Sequence, residues 1–358
     1  MIAAPLLIRA LREPQTMRQL DLRAWDLLVR QGRRANLLAS LHSVLEENGW
    51  LERVPAEALR HLEWSRVVSD KHREAVRWEV AKIRAALAPT GLPIVLLKGA
   101  AYVMADLPSS HGRLFSDVDI IVPKNRIGEV EAALMMAGWI ATHHDAYDQR
   151  YYRQWMHEIP PMQHMSRMSV IDVHHAILPE TAHLHPSPAK LLAAAVPVMG
   201  HDDLRVFSPT DMVLHSAVHL FHDGELEQGL RDLFDLHRLL THFGDCPGFW
   251  PALTDRATEL GLQRPLFYAL RYCTVMLGTA VPVHVLHAAR PGAPSHALLL
   301  LMDALFRRAL LPAHTSSSDW LSGAARRLLY VRANWLRMPP LMLGRHLLHK
   351  AFLSEQKA

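Results

Sequence analysis

Two aspartates spaced two residues apart are the side chains in this sequence that point most directly to chemistry. Asp117 and Asp119 lie in the run SDVDIIV, among aliphatic residues typical of a strand. Side chains alternate between the two faces of a strand, so both carboxylates are expected on one face. Such a pair can hold a divalent cation against a phosphate group. The spacing therefore predicts a metal and phosphate site, the alternative being two acids at a strand edge facing water.

A third acid lies in a later apolar run. Asp172 belongs to the sequence MSVIDVHH, which is also typical of a strand. On a strand next to the first one, Asp172 would complete a cluster that bridges two Mg²⁺ ions and would accept the proton of an acceptor hydroxyl. The structural alternatives are a solvent-facing acid or a pair with Arg167. His174 and His175 follow on opposite faces of the strand, either as a ligand or base or as packed side chains.

Cationic and small residues precede the aspartates. Gly99 stands before an expected helix start, where the backbone can approach phosphate oxygens closely. Lys98 and Arg113 add positive charge for a triphosphate, although Lys98 is equally suited to an ion pair with one of the aspartates. Ser116 either donates a hydrogen bond to the nucleotide or only leads into the strand. These four residues are the predicted nucleotide-binding set.

A histidine cluster lies far from these residues in the sequence. His215, His219, His222 and Asp223 are spaced by four, three and one, which places the three imidazoles on one helical face. Zinc sites use such spacing, but so do histidines that form hydrogen bonds in a core or between domains. The two interpretations predict a metal-dependent hydrolase and a structural role, respectively.

Two further groups are open to a functional and a structural interpretation. Arg231 and Asp232 belong to a helix that would either close over the nucleotide or carry an interhelical ion pair. Five aromatic residues would either stack on a base or belong to the core. They are Trp139, Tyr147, Tyr151, Tyr152 and Trp155.

The elements that must position these residues form a small α/β region between two helical regions. Helical spacing of apolar residues dominates up to about residue 90 and again after residue 210. Between them, the pattern predicts strands at 94–97, 117–122, 139–142 and 168–174, with helices at 100–105 and 125–137. The predicted fold is α+β, with a mixed-sheet core at 88–180 flanked by helical regions at 1–87 and 181–358.

Composition limits the classes of function. Half of the 358 residues are hydrophobic, 21% are charged and the net charge is +4. This balance suits anionic substrates but carries no strong signal for nucleic acid. Two cysteines, Cys246 and Cys273, are too few for a disulfide framework or a cysteine zinc site.

The sequence also shapes the expected location. The first residues lack the features of a signal peptide, and no stretch reaches the length of a membrane span, so a cytoplasmic protein is expected. An amphipathic helix at about 341–352 is expected either to pack or to lie on a membrane surface.

Taken together, LLKG, GR-x-x-SDVDIIV and IDVHH resemble the uncharacterised bacterial nucleotidyltransferase family of the polymerase-β-like superfamily. That superfamily has a glycine turn, then two acids separated by one apolar residue, then a third acid on a later strand. Lys98-Gly99 matches the turn, Asp117 and Asp119 match the pair, and Asp172 matches the third acid. The helix GLRDLFDLHRLL, with Asp235 at its R-D-x-x-D motif, is also similar to that family.

The resemblance implies a specific reaction. It implies Mg²⁺-dependent transfer of a nucleoside monophosphate, with ATP as the expected donor, to an unidentified small-molecule or protein acceptor, with release of pyrophosphate. One departure matters, because Ala100 follows Gly99 where the superfamily usually has a second glycine or a serine. The alternative is therefore a catalytically inactive module that binds a nucleotide or a partner.

Overall fold

The computed structural model describes residues 5–142, 152–153, 155–224 and 226–338, and its helices lie on both sides of one central sheet. The strands are β1 (Ile94–Leu96), β2 (Asp117–Ile121), β3 (Trp139–Ala141), β4 (Met162–His164), β5 (Val170–His174), β6 (Val196–Val198) and β7 (His201–Val206). The helices before the sheet and within its connections span Leu6–Arg12, Leu22–Arg34, Leu38–Glu47, Ala56–Leu87, Lys98–Met104, Ile127–Met136 and Pro188–Ala193. The helices after the sheet span Pro209–Val218, Gly229–Gly244, Phe249–Glu259, Gln263–Leu277, Val283–Ala288, His296–Ala309 and Ser322–Arg337.

The seven strands form one mixed sheet in the order β3-β4-β5-β2-β1-β7-β6. β2 pairs parallel with β5 and antiparallel with β1, while β1 pairs parallel with β7. Every residue of β1 is buried, as expected for a central strand whose two faces are both covered. The mixed sheet and its many helices agree with the predicted α+β class.

The sheet extends past the predicted core. Four of its strands, β1, β2, β3 and β5, lie where the apolar pattern predicted them. β4, β6 and β7 were not predicted, and the last two lie beyond residue 180. The range predicted as a C-terminal helical region therefore begins with two strands of the same sheet.

Local signals explain several helix boundaries. The side chains of Asp21 and Ser208 cap the helices that follow them by accepting a hydrogen bond from a backbone N–H of the first turn. The helix Gln263–Leu277 ends at Gly278, which adopts the left-handed conformation (φ +70°) that favours glycine after a helix.

One continuous hydrophobic core joins the sheet to both sets of helices. The long helix Ala56–Leu87 packs on Lys98–Met104 and on Ile127–Met136, next to the strands that carry the aspartates. The first helix, Leu6–Arg12, packs on Gln263–Leu277. Among the described helices, none is both long and apolar enough to cross a membrane.

Candidate active site

The parallel pairing of β2 with β5 brings the predicted carboxylates to one face of the sheet. Asp119 lies directly opposite Asp172 in the register, and Asp117 lies opposite Val170. Because residues two apart share a face, all three carboxylates face the same side. They line a cleft of about 320 Å³. The structure thus brings together three acids that are far apart in the sequence.

The same cleft is lined by the four predicted nucleotide-binding residues. Lys98, Gly99, Arg113 and Ser116 all border it. Residues of β5, of the segment before β4 and of the C-terminal region complete the lining. The polar residues among these are His157, Glu158, His174, His219, Gln228, Arg231 and Arg337.

Asp119 is the most constrained of the three carboxylates. Its side chain is only 9% exposed, and its Oδ1 atom lies 3.6 Å from Lys98 Nζ and 3.0 Å from His174 Nε2. Burial alone would raise the pKa of Asp119, but Lys98 and the hydrogen bond from His174 outweigh burial and lower that pKa. Asp119 is therefore an anion, and the predicted alternative of an ion pair for Lys98 is what the structure shows.

Lys98 is held in an unusual backbone conformation. Its φ is +43°, in the left-handed region that side chains other than glycine seldom adopt. Such conformations cost about 1–3 kcal/mol and persist where the surrounding structure imposes them, often at functional sites. Here the strain accompanies the placement of the Lys98 ammonium against Asp119.

Asp117 and Asp172 differ from Asp119 in that their pKa values are raised. Burial, and then the neighbouring Asp119, raise the pKa of Asp117. Burial, Asp119 and Glu158 raise the pKa of Asp172 to about 8. The Oδ1 atom of Asp172 is buried without a hydrogen-bond partner among the described residues. A cation beside this atom would relieve both the repulsion and the missing hydrogen bond.

The structural alternative of an ion pair between Asp172 and Arg167 is not observed among the described residues. Arg167 instead forms a two-pronged ion pair with Glu79 of the long helix, at 2.8 and 3.1 Å. The guanidinium also lies 4.6 Å from the centre of the Trp139 ring. Arg167 therefore joins the long helix to the sheet and leaves Asp172 to the cleft.

Arg113 is positioned by both flanking regions. Its backbone carbonyl accepts a hydrogen bond from Ser69 of the long helix at 2.9 Å. Its guanidinium forms an ion pair with Asp235 of the helix Gly229–Gly244 and lies over the ring of Tyr102. The R-D-x-x-D motif thus supplies the partner of a cation that borders the cleft.

Two glycines near the cleft are required for packing. A Cβ atom on Gly99 would lie 2.8 Å from Cδ1 of Phe115, so the glycine makes room for that ring. Gly112 has a φ of +72°, and a Cβ atom there would lie 2.4 Å from the backbone nitrogen of Ser40. The loop that leads to Arg113 therefore lies directly on the N-terminal helices.

Among the described side chains, His215, His219 and His222 do not form the metal face that was one of the two interpretations of their spacing. His215 is buried with its ring edge towards Phe207, and burial followed by Lys98 lowers its pKa well below the usual value. A π-helical turn begins at His219 and runs to Asp223, which changes the spacing on which the predicted face depends. His219 alone of these histidines lines the cleft. Among the described residues, His215, His219 and His222 do not place three ligand atoms together.

The structure also places Arg231, Asp232 and one of the five aromatic residues, Trp139. Arg231 lines the cleft and donates to Asp232, its neighbour in the sequence, at 2.8 and 3.1 Å, so this ion pair is not interhelical. Trp139 is buried in the core, edge-on to His164, and is not placed for stacking on a base. Tyr147, Tyr151 and the helix predicted at 341–352 lie outside the described residues.

Sequence reasoning missed Glu158 and His157. They belong to a segment that folds back beside β5, where Glu158 forms an isolated antiparallel bridge with His174. His174 Nδ1 lies 3.2 Å from Glu158 Oε2. No spacing pattern in the sequence predicts this contact, because only the fold brings Glu158 and His174 together.

A wall of carboxylates opposite cationic side chains is an arrangement suited to phosphate chemistry. The comparison with protein families agrees, because the model of the family described as uncharacterised nucleotidyltransferase matches residues 21–278, more than half of the chain. The chain therefore belongs to this family of uncharacterised nucleotidyltransferases. No curated protein matches the chain. No solved structure matches it either.

Proposed function

We propose that this protein transfers a nucleoside monophosphate from a nucleoside triphosphate, with ATP as the expected donor, to a hydroxyl of a small-molecule or protein acceptor and releases pyrophosphate. The observation that carries the proposal is the register of β2 and β5, which sets Asp119 beside Asp172 at the cleft. The order of the glycine turn, the paired acids and the third acid follows the polymerase-β-like pattern. Family membership supports nucleotidyl transfer in general.

The chemistry needs divalent cations, and the carboxylates suit them. Asp117, Asp119 and Asp172 would hold two Mg²⁺ ions, for which carboxylate oxygens are preferred ligands. The unpartnered Oδ1 atom of Asp172 and its raised pKa are the features that a cation would relieve. The ions would supply neutralisation of the triphosphate and alignment of the attacking oxygen.

The residues of the chain would divide the remaining work. Lys98, whose Nζ lies 3.6 Å from Asp119 Oδ1, borders the cleft and would also bind a phosphate oxygen of the triphosphate. Arg231 and Arg113 border the same cleft and would bind the other phosphate oxygens. Asp172, directly opposite Asp119 at the cleft, would also accept the proton of the acceptor hydroxyl.

The test is transfer of label from ATP carrying a labelled α-phosphate, in the presence of Mg²⁺, to candidate acceptors. Asp117→Asn is the informative variant, because Asp119 is fixed by Lys98 and His174 and its loss would also disturb the fold. We expect Asp117→Asn to lose transfer with a nearly unchanged Tm. The exposed Asp255→Asn, outside the cleft, is the matched control and should retain activity. Equal transfer by both variants would contradict the proposal.

A second candidate function is a nucleotide-binding module without turnover. It is favoured by Gly99, which accommodates Phe115, and by Ala100, which cannot offer a hydroxyl to a phosphate. This candidate predicts Mg²⁺-dependent binding of a nucleotide without release of pyrophosphate. Measuring binding by calorimetry alongside pyrophosphate release separates the two functions.

A further inference from the structure

We propose that His157, Glu158 and His174 form a separate site for a divalent transition metal, with Zn²⁺ as the preferred ion, in the same cleft. The site goes beyond the proposed function, whose Mg²⁺ ligands are three aspartates. Each of the three residues offers one ligand atom, and these atoms all lie within 4.8 Å of one another. Among the described residues, they are the group of three such side chains that meets this spacing.

The distance between two of the ligand atoms suits a shared ion. His174 Nδ1 and Glu158 Oε2 lie 3.2 Å apart. Two ligands that are each about 2.0–2.2 Å from one zinc ion in tetrahedral geometry lie only slightly further apart than this. The two side chains therefore already have nearly the separation that coordination requires.

The backbone holds the site in place without an ion. The His157 carbonyl accepts a hydrogen bond from the backbone N–H of His175 at 2.8 Å. The backbone N–H of Ile159 donates to the carbonyl of Val173 at 3.1 Å. These bonds fix the segment that carries His157 and Glu158 against the end of β5, so little order is lost on binding.

The other nitrogen of His174 has the partner that metal-binding histidines usually have. His174 Nε2 lies 3.0 Å from Asp119 Oδ1, so it donates to that carboxylate when Nδ1 faces an ion. A carboxylate behind a ligating imidazole fixes its tautomer and strengthens it as a ligand. The His174 ring therefore has a supporting carboxylate on one nitrogen and a second metal ligand, Glu158, beside the other.

Ligand chemistry separates this site from the aspartate cluster. Imidazole nitrogens favour Zn²⁺ and similar ions, whereas carboxylate oxygens alone suit Mg²⁺. Three protein ligands beside a cleft leave a coordination position for water or substrate, as in catalytic zinc sites. Asp119 and Glu158 also give this end of the cleft negative charge that favours a cation.

The test is a titration of the metal-free full-length protein with Co²⁺, a coloured substitute for Zn²⁺, followed by visible absorption. We expect one strongly absorbing Co²⁺ per chain, displaced by Zn²⁺ and not by millimolar Mg²⁺. Glu158→Gln and His157→Ala should each weaken Co²⁺ binding by about 100-fold, at the upper end of what loss of a supporting contact alone causes. His284→Ala removes an exposed histidine and is the control for binding to surface imidazoles.

The outcomes are distinct. Weak, octahedral Co²⁺ absorption that is the same in all variants would overturn the site and leave Glu158 and His174 as an ion pair. Far-ultraviolet circular dichroism checks that each variant folds, and Glu158→Asp replaces Glu158→Gln if the latter does not. Asp172→Asn should retain Co²⁺ binding but lose Mg²⁺-dependent nucleotide binding, so failure of the nucleotidyltransferase proposal is seen separately.

Discussion

Replacing Asp172 with asparagine is expected to stabilise the protein while removing the proposed nucleotidyl transfer. The side chain is mostly buried beside Asp119 and Glu158, and burial followed by these charges raises its pKa to about 8. In the unfolded chain the same group has its ordinary value of 3.8. An asparagine at this position would have nearly the same shape but no charge to repel its neighbours, so it relieves a cost that the native carboxylate imposes.

The size and the sign of this effect follow from the pKa difference. The folded state binds the Asp172 proton more tightly than the unfolded state does, so its contribution to stability is fully present below pH 3.8. It is lost as the pH rises towards about 8. Each pKa unit corresponds to about 1.36 kcal/mol, so the wild-type protein should lose about 4 kcal/mol relative to Asp172→Asn between pH 5 and pH 8.

The assay is chemical denaturation of both proteins without metal at several values of pH. Any effect of the substitution that does not depend on pH cancels when the difference between the proteins is followed from pH 5 to pH 8. Addition of Mg²⁺ at pH 8 should stabilise the wild type by mass action and the variant much less. Asp255→Asn, at an exposed site, should follow the wild type throughout.

Two results would refute the reasoning. A difference between wild type and Asp172→Asn that changes by less than about 1 kcal/mol from pH 5 to pH 8 would show that Asp172 is not held protonated by its neighbours. Equal stabilisation of both proteins by Mg²⁺ would show that Asp172 is not a ligand. The first result tests the raised pKa of Asp172, and the second tests whether Asp172 binds Mg²⁺.

Three further outcomes are expected. Gly112→Ala should cost at least about 2 kcal/mol by denaturation, because of its positive φ and the close backbone contact. The control Gly128→Ala lies in an open helical position and should leave the free energy of unfolding unchanged or raise it by up to about 1 kcal/mol. Asp235→Asn should destabilise by about 3–5 kcal/mol, because the Arg113 guanidinium would remain buried without its anion, and combining it with Arg113→Gln should recover part of that loss. A fragment of residues 88–180 should lack a cooperative thermal transition. It omits the strands β6 and β7, and it also omits Ser69 and Asp235, which contact Arg113.

The sequence predicted those strands whose own pattern of polar and apolar residues is typical of a strand. Alternating polar and apolar residues predicted β2 with Asp117 and Asp119 on one face, and an apolar run predicted the buried β1. The same reasoning missed β4 and β6, which have three residues each, and β7, whose first three residues are polar or charged. Short strands with mixed polarity are stabilised by their neighbours in the sheet, and a local pattern does not contain that information.

The site was predictable to the same extent. The shared face of Asp117 and Asp119 could be inferred from their spacing, but the register that sets Asp119 opposite Asp172 could not. Glu158 reaches His174 through a bridge between segments, so no sequence interval marks it. The interhelical ion pair considered for Arg231 and Asp232 is instead a contact between sequence neighbours, and the partner of Arg113 depends on how a distant helix packs.

The flanking helices are part of the cleft rather than only its support. The loop between Gly112 and Phe115 carries Arg113, and N-terminal side chains hold its backbone: Ser40 donates to the Gly112 carbonyl at 3.1 Å, and His72 lies 2.9 Å from the Phe115 carbonyl. From the other side, Asp235 neutralises the guanidinium. Since the two flanking regions hold opposite ends of one cation, a shift of either region moves positive charge relative to the aspartates. Under the proposed function, Arg113 would therefore link both helical regions to the part of the cleft that binds the nucleotide.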